Sequence, residues 1–287
     1  MAVPSLKQAL ASGETVLAPG AWDAITGRLF RHMGFGALYI PLAQTAKVLG
    51  TEEALVGLTE IALVAERVSE GVQDELPVIV DAGGGFGGTG HLVRTIEVLE
   101  DAGASAVQLS DEAVPLSRTP DGKRTLVSLD AFRERIEAAV RARRSPDMLV
   151  LAATHAGDNQ AVERATAAIA AGADAVVSPP DLDDQGLRSF AKQLEGAPLA
   201  TYAGLDGPAT NDLKALGYRL ILFPALSLQA SLLGVHATWQ SVADTGYLLA
   251  QRAEAMPLIN KLLEIEEKWA VEQSTTEAGV EVPVSRR

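Results

Sequence analysis

Eight short apolar runs rich in Val, Ile and Leu recur along the 287-residue chain, each followed by a polar turn and an amphipathic stretch. They are TVLAPGAW, ALYIPLA, LPVIVDAG, SAVQLSD, DMLVLAATH, DAVVSPP, APLATYAG and YRLILFPA. Runs that are apolar on both faces read as parallel strands covered on each side by helices. Helical patterns such as DAITGRLFRHMG, SLDAFRERIEAAVRA and NQAVERATAAIAAG lie between them. A repeated joint carries the same message. RHMGFGALYIP, EDAGASAVQLS, IAAGADAVVSP and KALGYRLILFP set Gly34, Gly103, Gly172 and Gly217 just past a helix, where a left-handed backbone suits glycine. Eight such units with no composition break predict an α/β fold, a (β/α)8 TIM-type barrel over residues 1–250 with additional C-terminal helices. Residues 251–287 are expected to form a C-terminal helix and a mobile polar tail, STTEAGVEVPVSRR, with the helix packing on a partner subunit.

Composition narrows the partners. Apolar residues make up 47% of the chain and charged residues 21%, enough for a sizeable core. A formal charge of -13 repels phosphate backbones and anionic lipid, so neither nucleic acid nor membrane is expected as a partner. Arg141, Arg143 and Arg144 form one local basic cluster, read as a solvated helix end. The chain has no cysteine, which removes disulfides, thiolate metal sites and thiol nucleophiles. The first 20 residues lack a basic start followed by a long apolar core, and a cytoplasmic location is expected.

The stretch VDAGGGFGGTGHL holds Gly83, Gly85 and Gly88 in the G-x-G-x-x-G spacing, with Asp111 further on where a ribose contact would fall. A dinucleotide fingerprint belongs on the first strand of its domain, whereas this one follows the third of eight similar units. In a barrel, the end of that strand is where active-site residues gather. The same reasoning brings Asp111, Glu112, Ser110, Thr154, His155 and Tyr202 to one mouth. Asp81, Asp111 and Glu112 with His155 are a donor set for a hard divalent cation, since Mg²⁺ needs only one or two carboxylates plus water and substrate oxygens. Alternatively Asp81 and Asp111 cap the helices that follow them. His155 reads as a proton shuttle, a metal ligand or a satisfied structural residue. Trp22 reads as a pocket wall; His32 and His91, on helical patterns, read as structural.

Three blocks then carry a resemblance: APGAWDAITGRLFRHMGFGALYI, PVIVDAGGGFG and RTIEVLEDAGASAVQLSDE. With DGKRTLVSLDAFRERIEAA, AATHAGDNQAVERATAAIAAGADAVV and LGYRLILFPALSLQA, in this order, the chain resembles the isocitrate lyase and phosphoenolpyruvate mutase superfamily, in a 2-methylisocitrate lyase-like form. The resemblance implies a barrel enzyme in which Mg²⁺ holds a 2-oxo or 2-hydroxy acid and a carbon–carbon bond breaks through a metal-stabilised enolate. It implies Asp81, Asp111 and Glu53 around the metal, with Mn²⁺ as a substitute, and a homodimer or homotetramer that exchanges a C-terminal helix.

The site departs from the family pattern in one direction. Gly83 stands where a second strand-three acid belongs, and Ser110 and Asp111 replace Glu-Asp. Pro41 and Leu42 replace a Ser-Gly pair, Ala153 replaces a strand-five arginine, His155 takes an acid's place, and the lyase loop Lys-Arg-Cys-Gly-His is absent. These exchanges remove donors to an anion and widen an apolar mouth, lined on this reading by Trp22, Pro41, Leu42, Gly83, Gly84, Ser110, Thr154 and Tyr202. The expected substrate is therefore larger or less anionic than isocitrate. His155, Asp81 and Asp111 are the expected catalytic residues, with His155 moving the proton. Two other readings stay open: a metal-independent enzyme using His155 and Asp81 as an acid–base pair, and a non-catalytic binding descendant.

Overall fold

A computed structural model describes residues 5–73, 75–119, 121–205, 207–247 and 255–264. All eight apolar runs form strands: β1 (Val16–Pro19), β2 (Leu38–Ile40), β3 (Val78–Asp81), β4 (Ala106–Ser110), β5 (Leu149–Ala153), β6 (Ala175–Val177), β7 (Leu199–Tyr202) and β8 (Tyr218–Phe223). Each pairs in parallel with its neighbour in the order β1-β8-β7-β6-β5-β4-β3-β2. The remaining gap closes at a bridge between Gly20 and Tyr39, where the Ala21 N–H donates to the Tyr39 carbonyl at 2.8 Å. The eight strands thus form a nearly closed TIM-type barrel with helices between them. Gly34, Gly103, Gly172 and Gly217 have φ of 80°, 86°, 98° and 92°, the left-handed turn that carries each preceding helix into its strand.

Strand side chains alternate between two cores. Tyr39, Ile79, Ala106, Leu149, Leu151, Ala153, Ala200 and Leu222 fill the barrel interior. Leu38, Ile40, Val78, Val80, Val107, Leu109, Val150 and Ala152 face the helical layer and pack with Ile61, Ile96, Phe132 and Ile136. The helices carry their own start signals. Asp23 accepts from the Thr26 N–H, Ser128 from Ala131 and Asp183 from Gly186, each satisfying a donor the first turn leaves free. Neither Asp81 nor Asp111 acts as such a cap. The second unit is longer than the sequence pattern suggests: a helix Leu42–Val48 and a short 3₁₀ turn Glu53–Leu55 precede its main helix, Leu58–Val72. That insertion delivers Glu53 to the mouth.

Two compact units divide the chain, Met1–Leu233 and Gly234–Arg287, so the first ends ahead of residue 250. Of the expected C-terminal segment, the helix Ala255–Leu262 is present, while the polar tail lies outside the described residues. Arg141, Arg143 and Arg144 each face acids, Glu137, Asp174, Glu100 and Asp101, and form no free basic patch. Among the described residues no helix is long and apolar enough to cross a membrane.

Candidate active site

The strand alternation continues past the strand ends and sorts the polar residues there. On β4 the interior set Ala106, Gln108 and Ser110 leads on to Glu112, whereas Val107 and Leu109 lead outward to Asp111. On β5, Ala153 leads to His155 and Ala152 to Thr154. The inward residues meet at a cavity of about 590 Å³ whose polar wall is Tyr39, Asp81, Gln108, Glu112, Arg124 and His155, with Glu53 at its edge. Tyr202 faces them from β7.

Asp81 ends β3 at the base of this wall. Its Oδ1 accepts from the Gly83 N–H at 3.0 Å, and its Oδ2 lies 3.4 Å from both the Leu42 N–H and the Tyr39 hydroxyl. Gly83 reaches this contact with φ of 52°, a backbone setting that favours glycine over a second acid. Among the described residues Asp81 has no cationic partner. Burial raises its pKa to about 6; the Gly83 and Leu42 amides lower it, and Glu53 and Glu112 push it up. The Tyr39 hydroxyl also lies 3.3 Å from Gln108 Oε1. Burial, with the charge of Asp81, holds the Tyr39 and Tyr202 phenols well above their ordinary range, so both stay protonated donors at neutral pH.

The second cluster centres on Arg124, which the loop after β4 brings back over the mouth. Its Nη1 and Nη2 lie 3.2 and 3.1 Å from the two carboxylate oxygens of Glu53, and Nη1 also pairs with Glu112. Burial alone would lower the guanidinium pKa, but these two acids hold it above its ordinary value. The Ser110 hydroxyl donates to Glu112 Oε2 at 2.8 Å, and His155 Nε2 lies 3.7 Å from that same oxygen. Burial lowers the His155 pKa and Arg124 acts in the same sense, against the pull of Glu112, so the imidazole is neutral at pH 7.

Several expected positions prove otherwise. Asp111 is fully buried in the helical layer. There it accepts from the Thr154 hydroxyl at 2.6 Å and the His155 N–H at 2.9 Å, and pairs with Arg164 at 3.3 Å. It faces away from the cavity because it follows Leu109 in the outward phase, and Thr154 is buried with it for the same reason. Ser110 supports Glu112 from below rather than lining the cavity. Trp22 is on neither wall, because the chain turns there into the helix that Asp23 caps. Pro41 and Tyr202 do line the cavity; Leu42, Gly83 and Gly84 instead line a neighbouring one of about 540 Å³. The sequence reading missed Tyr39, Gln108 and Arg124. A glutamine inside the apolar run SAVQLSD was the available signal for Gln108, since buried polar residues are uncommon. Nothing local marks Arg124.

The fit to a divalent cation is narrow. Among the described residues no three His, Asp or Glu side chains are grouped to hold a metal ion. Glu53 and Glu112 are engaged by Arg124, and Asp111 by Arg164. What remains is Asp81, a half-buried carboxylate with no cation against it among the described residues, at a wall of hard oxygen donors that includes Gln108. This matches Mg²⁺ held by one protein carboxylate with the other positions left to water and substrate oxygens.

Comparison with known proteins agrees with this architecture. The family model described as phosphoenolpyruvate phosphomutase matches residues 6–243. A 2-methylisocitrate lyase of Aeropyrum pernix is 32% identical over 249 residues, covering 84% of this chain and 80% of that protein. A 2,3-dimethylmalate lyase of Eubacterium barkeri is 29% identical over 285 residues, covering 92% and 97%. The crystal structure of a 2,3-dimethylmalate lyase superposes with a TM-score of 0.83 at 28% identity, covering 94% of this chain and 97% of that one.

Proposed function

Since the chain belongs to the phosphoenolpyruvate phosphomutase family, we propose that it is a carbon–carbon lyase acting on a 2-oxo or 2-hydroxy acid through an enolate. The observation that carries this reading is Asp81, a half-buried carboxylate at a strand end that faces the cavity, meets no cationic partner among the described residues and lies beside the protonated Tyr39 and Tyr202 phenols. Mg²⁺, or Mn²⁺ in its place, would be held by Asp81 and would draw negative charge onto the substrate's C2 oxygen. The single Tyr39 hydroxyl proton lies within reach of both Asp81 Oδ2 and Gln108 Oε1, and the Tyr202 hydroxyl on the cavity wall is placed to donate toward an oxygen gaining charge.

Cleavage of a 2-hydroxy acid whose C3 bears a carboxylate takes the proton from the C2 hydroxyl, turns that oxygen into a carbonyl as the C2–C3 bond breaks, and leaves the bonding pair on C3, delocalised into that carboxylate as the enolate. His155 accepts the hydroxyl proton, because it is neutral and lies beside Glu112, whose charge stabilises the imidazolium that results. That proton then returns to C3. Arg124 is the one lysine or arginine on the described lining, and with its Nη atoms on Glu53 and Glu112 it offsets the acid charge on that side of the cavity. Asp111 has no part in these steps; it fixes the β5 loop on which His155 stands.

Calorimetric titration of chelator-stripped protein with Mg²⁺ and Mn²⁺, with and without oxalate as an enolate mimic, tests the reading. Metal-dependent oxalate binding that vanishes in Asp81→Ala is expected. Oxalate binding that ignores both the chelator and Asp81→Ala would overturn it, and would favour acid–base chemistry without a metal.

A further inference from the structure

The glycine run after β3 does more than hold Asp81. It also builds the neighbouring cavity of about 540 Å³, which shares Glu53 and Glu112 with the Asp81 cavity. A Cβ at Gly83 would come within 3.0 Å of Leu42 Cδ2 and one at Gly87 within 2.6 Å of the His91 ring, while one at Gly84 would collide with Val114. Leu42, His91 and Val114 all line this second cavity, and bare backbone beside them leaves them their places. Phe86, in the same run, also lines it while holding φ of 60°, a left-handed setting that strains a residue with a bulky side chain. Strain kept on a cavity wall points to a use for that wall.

The lining is amphipathic. Leu42, Val56, Leu58, Phe86, Val114 and Leu116 supply its apolar part, and Leu55 beside them is 73% exposed. His91 and Arg94 join it from the helix Thr89–Asp101, three residues apart and so on one face. Arg94 makes no hydrogen bond or ion pair among the described residues. The acids of the lining, Glu53 and Glu112, are held by Arg124 and do not compete for it.

These features select an occupant. A carboxylate gains a partner at Arg94 without displacing one already made. An alkyl body covers the leucines and Phe86 and takes them out of water. A second charge on the occupant is disfavoured, because Glu53 and Glu112 share one guanidinium and leave a net negative charge at the cavity. The volume lies within the range of small-molecule pockets.

We infer that this cavity is a second ligand site, taking a monocarboxylic acid with an apolar body and pairing its carboxylate with Arg94. The acid is a ligand and not a substrate: no bond is made or broken, and the site stands whether or not Asp81 holds a metal. Leu42 and Gly83, whose amides face Asp81, belong to its wall, so the occupant sits beside the catalytic wall without entering it.

The test is calorimetric titration of the full-length protein with butanoate, hexanoate, octanoate and the neutral hexanamide. Affinity is expected to rise about fourfold per methylene along the acids. Hexanoate should bind about threefold tighter than hexanamide, a modest preference because Arg94 is exposed. Arg94→Gln, a surface change, should erase that preference. Phe86→Asn, which tolerates the left-handed backbone, should lower hexanoate affinity at least about fivefold. Leu205→Ser, on the lining of the Asp81 cavity alone, should change it by less than about twofold. Hexanoate weakened by Leu205→Ser but not by Phe86→Asn would seat the acid in the Asp81 cavity and overturn the inference. Hexanamide binding as tightly as hexanoate, a flat chain-length slope, or no saturable binding at millimolar concentration would also overturn it.

Discussion

Arg124 and Glu53 are 71 residues apart in sequence, yet the guanidinium lies fork to fork on the carboxylate at 3.2 and 3.1 Å. The same guanidinium takes Glu112, whose side chain is 4% exposed. Removing the cation leaves two acids facing each other at the mouth, and breaking a pair with a buried partner costs more than the pair contributes. Arg124→Met is expected to destabilise the protein by about 2–3 kcal/mol. Adding Glu112→Gln should recover part of that loss, because it removes the stranded charge. Urea denaturation of the single and double variants checks both statements.

Asp81 should behave in the opposite way. Its folded pKa of about 6 lies above the ordinary carboxylate value of 3.8, so keeping it charged opposes folding at neutral pH. Asp81→Asn is expected to abolish activity while stabilising metal-free protein by about 1–2 kcal/mol at pH 7 to 8. The sign follows from proton binding: a raised carboxylate pKa makes the charged form costly above about 6, and that cost fades as pH falls from 6 toward 3.8. The advantage of the asparagine variant should therefore shrink at pH 5. Thermal midpoints of chelator-treated protein at pH 8 and pH 5 supply the comparison, and a variant less stable than its parent at pH 8 would contradict it.

Asp111 and Asp81 are both strand-end acids, and their variants should separate by readout. Asp111→Asn leaves Arg164, 13% exposed, without its carboxylate and weakens the Thr154 contact. A loss of about 2–4 kcal/mol in stability is expected. Metal-dependent oxalate affinity, in contrast, should change by less than about threefold, since Asp111 does not reach the cavity. Calorimetry on the folded variant decides this.

Away from the site, Glu100 gives a pH-dependent contribution to stability. Burial would raise its pKa, but the Arg144 and Ser145 amides, at 3.0 and 2.6 Å, and the Arg144 guanidinium hold it below the ordinary value. A depressed carboxylate stabilises the fold above its unfolded pKa, and that share is lost as pH falls through the folded pKa. Glu100→Gln should therefore cost about 1–2 kcal/mol at pH 7 and much less at pH 3. Denaturation at the two pH values is the measurement.

Self-association is the last expectation. Leu232, Leu233, Val235 and Trp239 on the helix Leu226–Thr245 are 60%, 70%, 56% and 66% exposed. Large apolar side chains open to water, Leu232 and Leu233 in the first unit and Val235 and Trp239 in the second, are the kind of feature that favours association with another chain. Light scattering should give a dimer or tetramer, and Leu233→Asp with Trp239→Asp should lower the mass. A monomer at micromolar concentration for the unsubstituted chain would refute the expectation.

Eight apolar runs, each followed by a helical period and joined by glycines at 34, 103, 172 and 217, determined the barrel without reference to tertiary structure. A run of four or five apolar residues must be covered on both faces, and alternation with helices leaves few other ways to do so. The same logic placed Asp81, His155 and Tyr202 at one mouth. It could not say which of Asp111 and Glu112 faces inward. In Ala106–Ser110 the alternation is visible, Gln108 and Ser110 on one face and Val107 and Leu109 on the other, but both faces are covered in the fold, so the pattern alone does not say which one turns into the barrel. Only closure of the barrel sets that phase, sending Glu112 to the cavity and Asp111 to Arg164. Tertiary structure also decided the place of Arg124, since a loop's return across the mouth depends on contacts with Glu53 and Glu112 that no local pattern encodes.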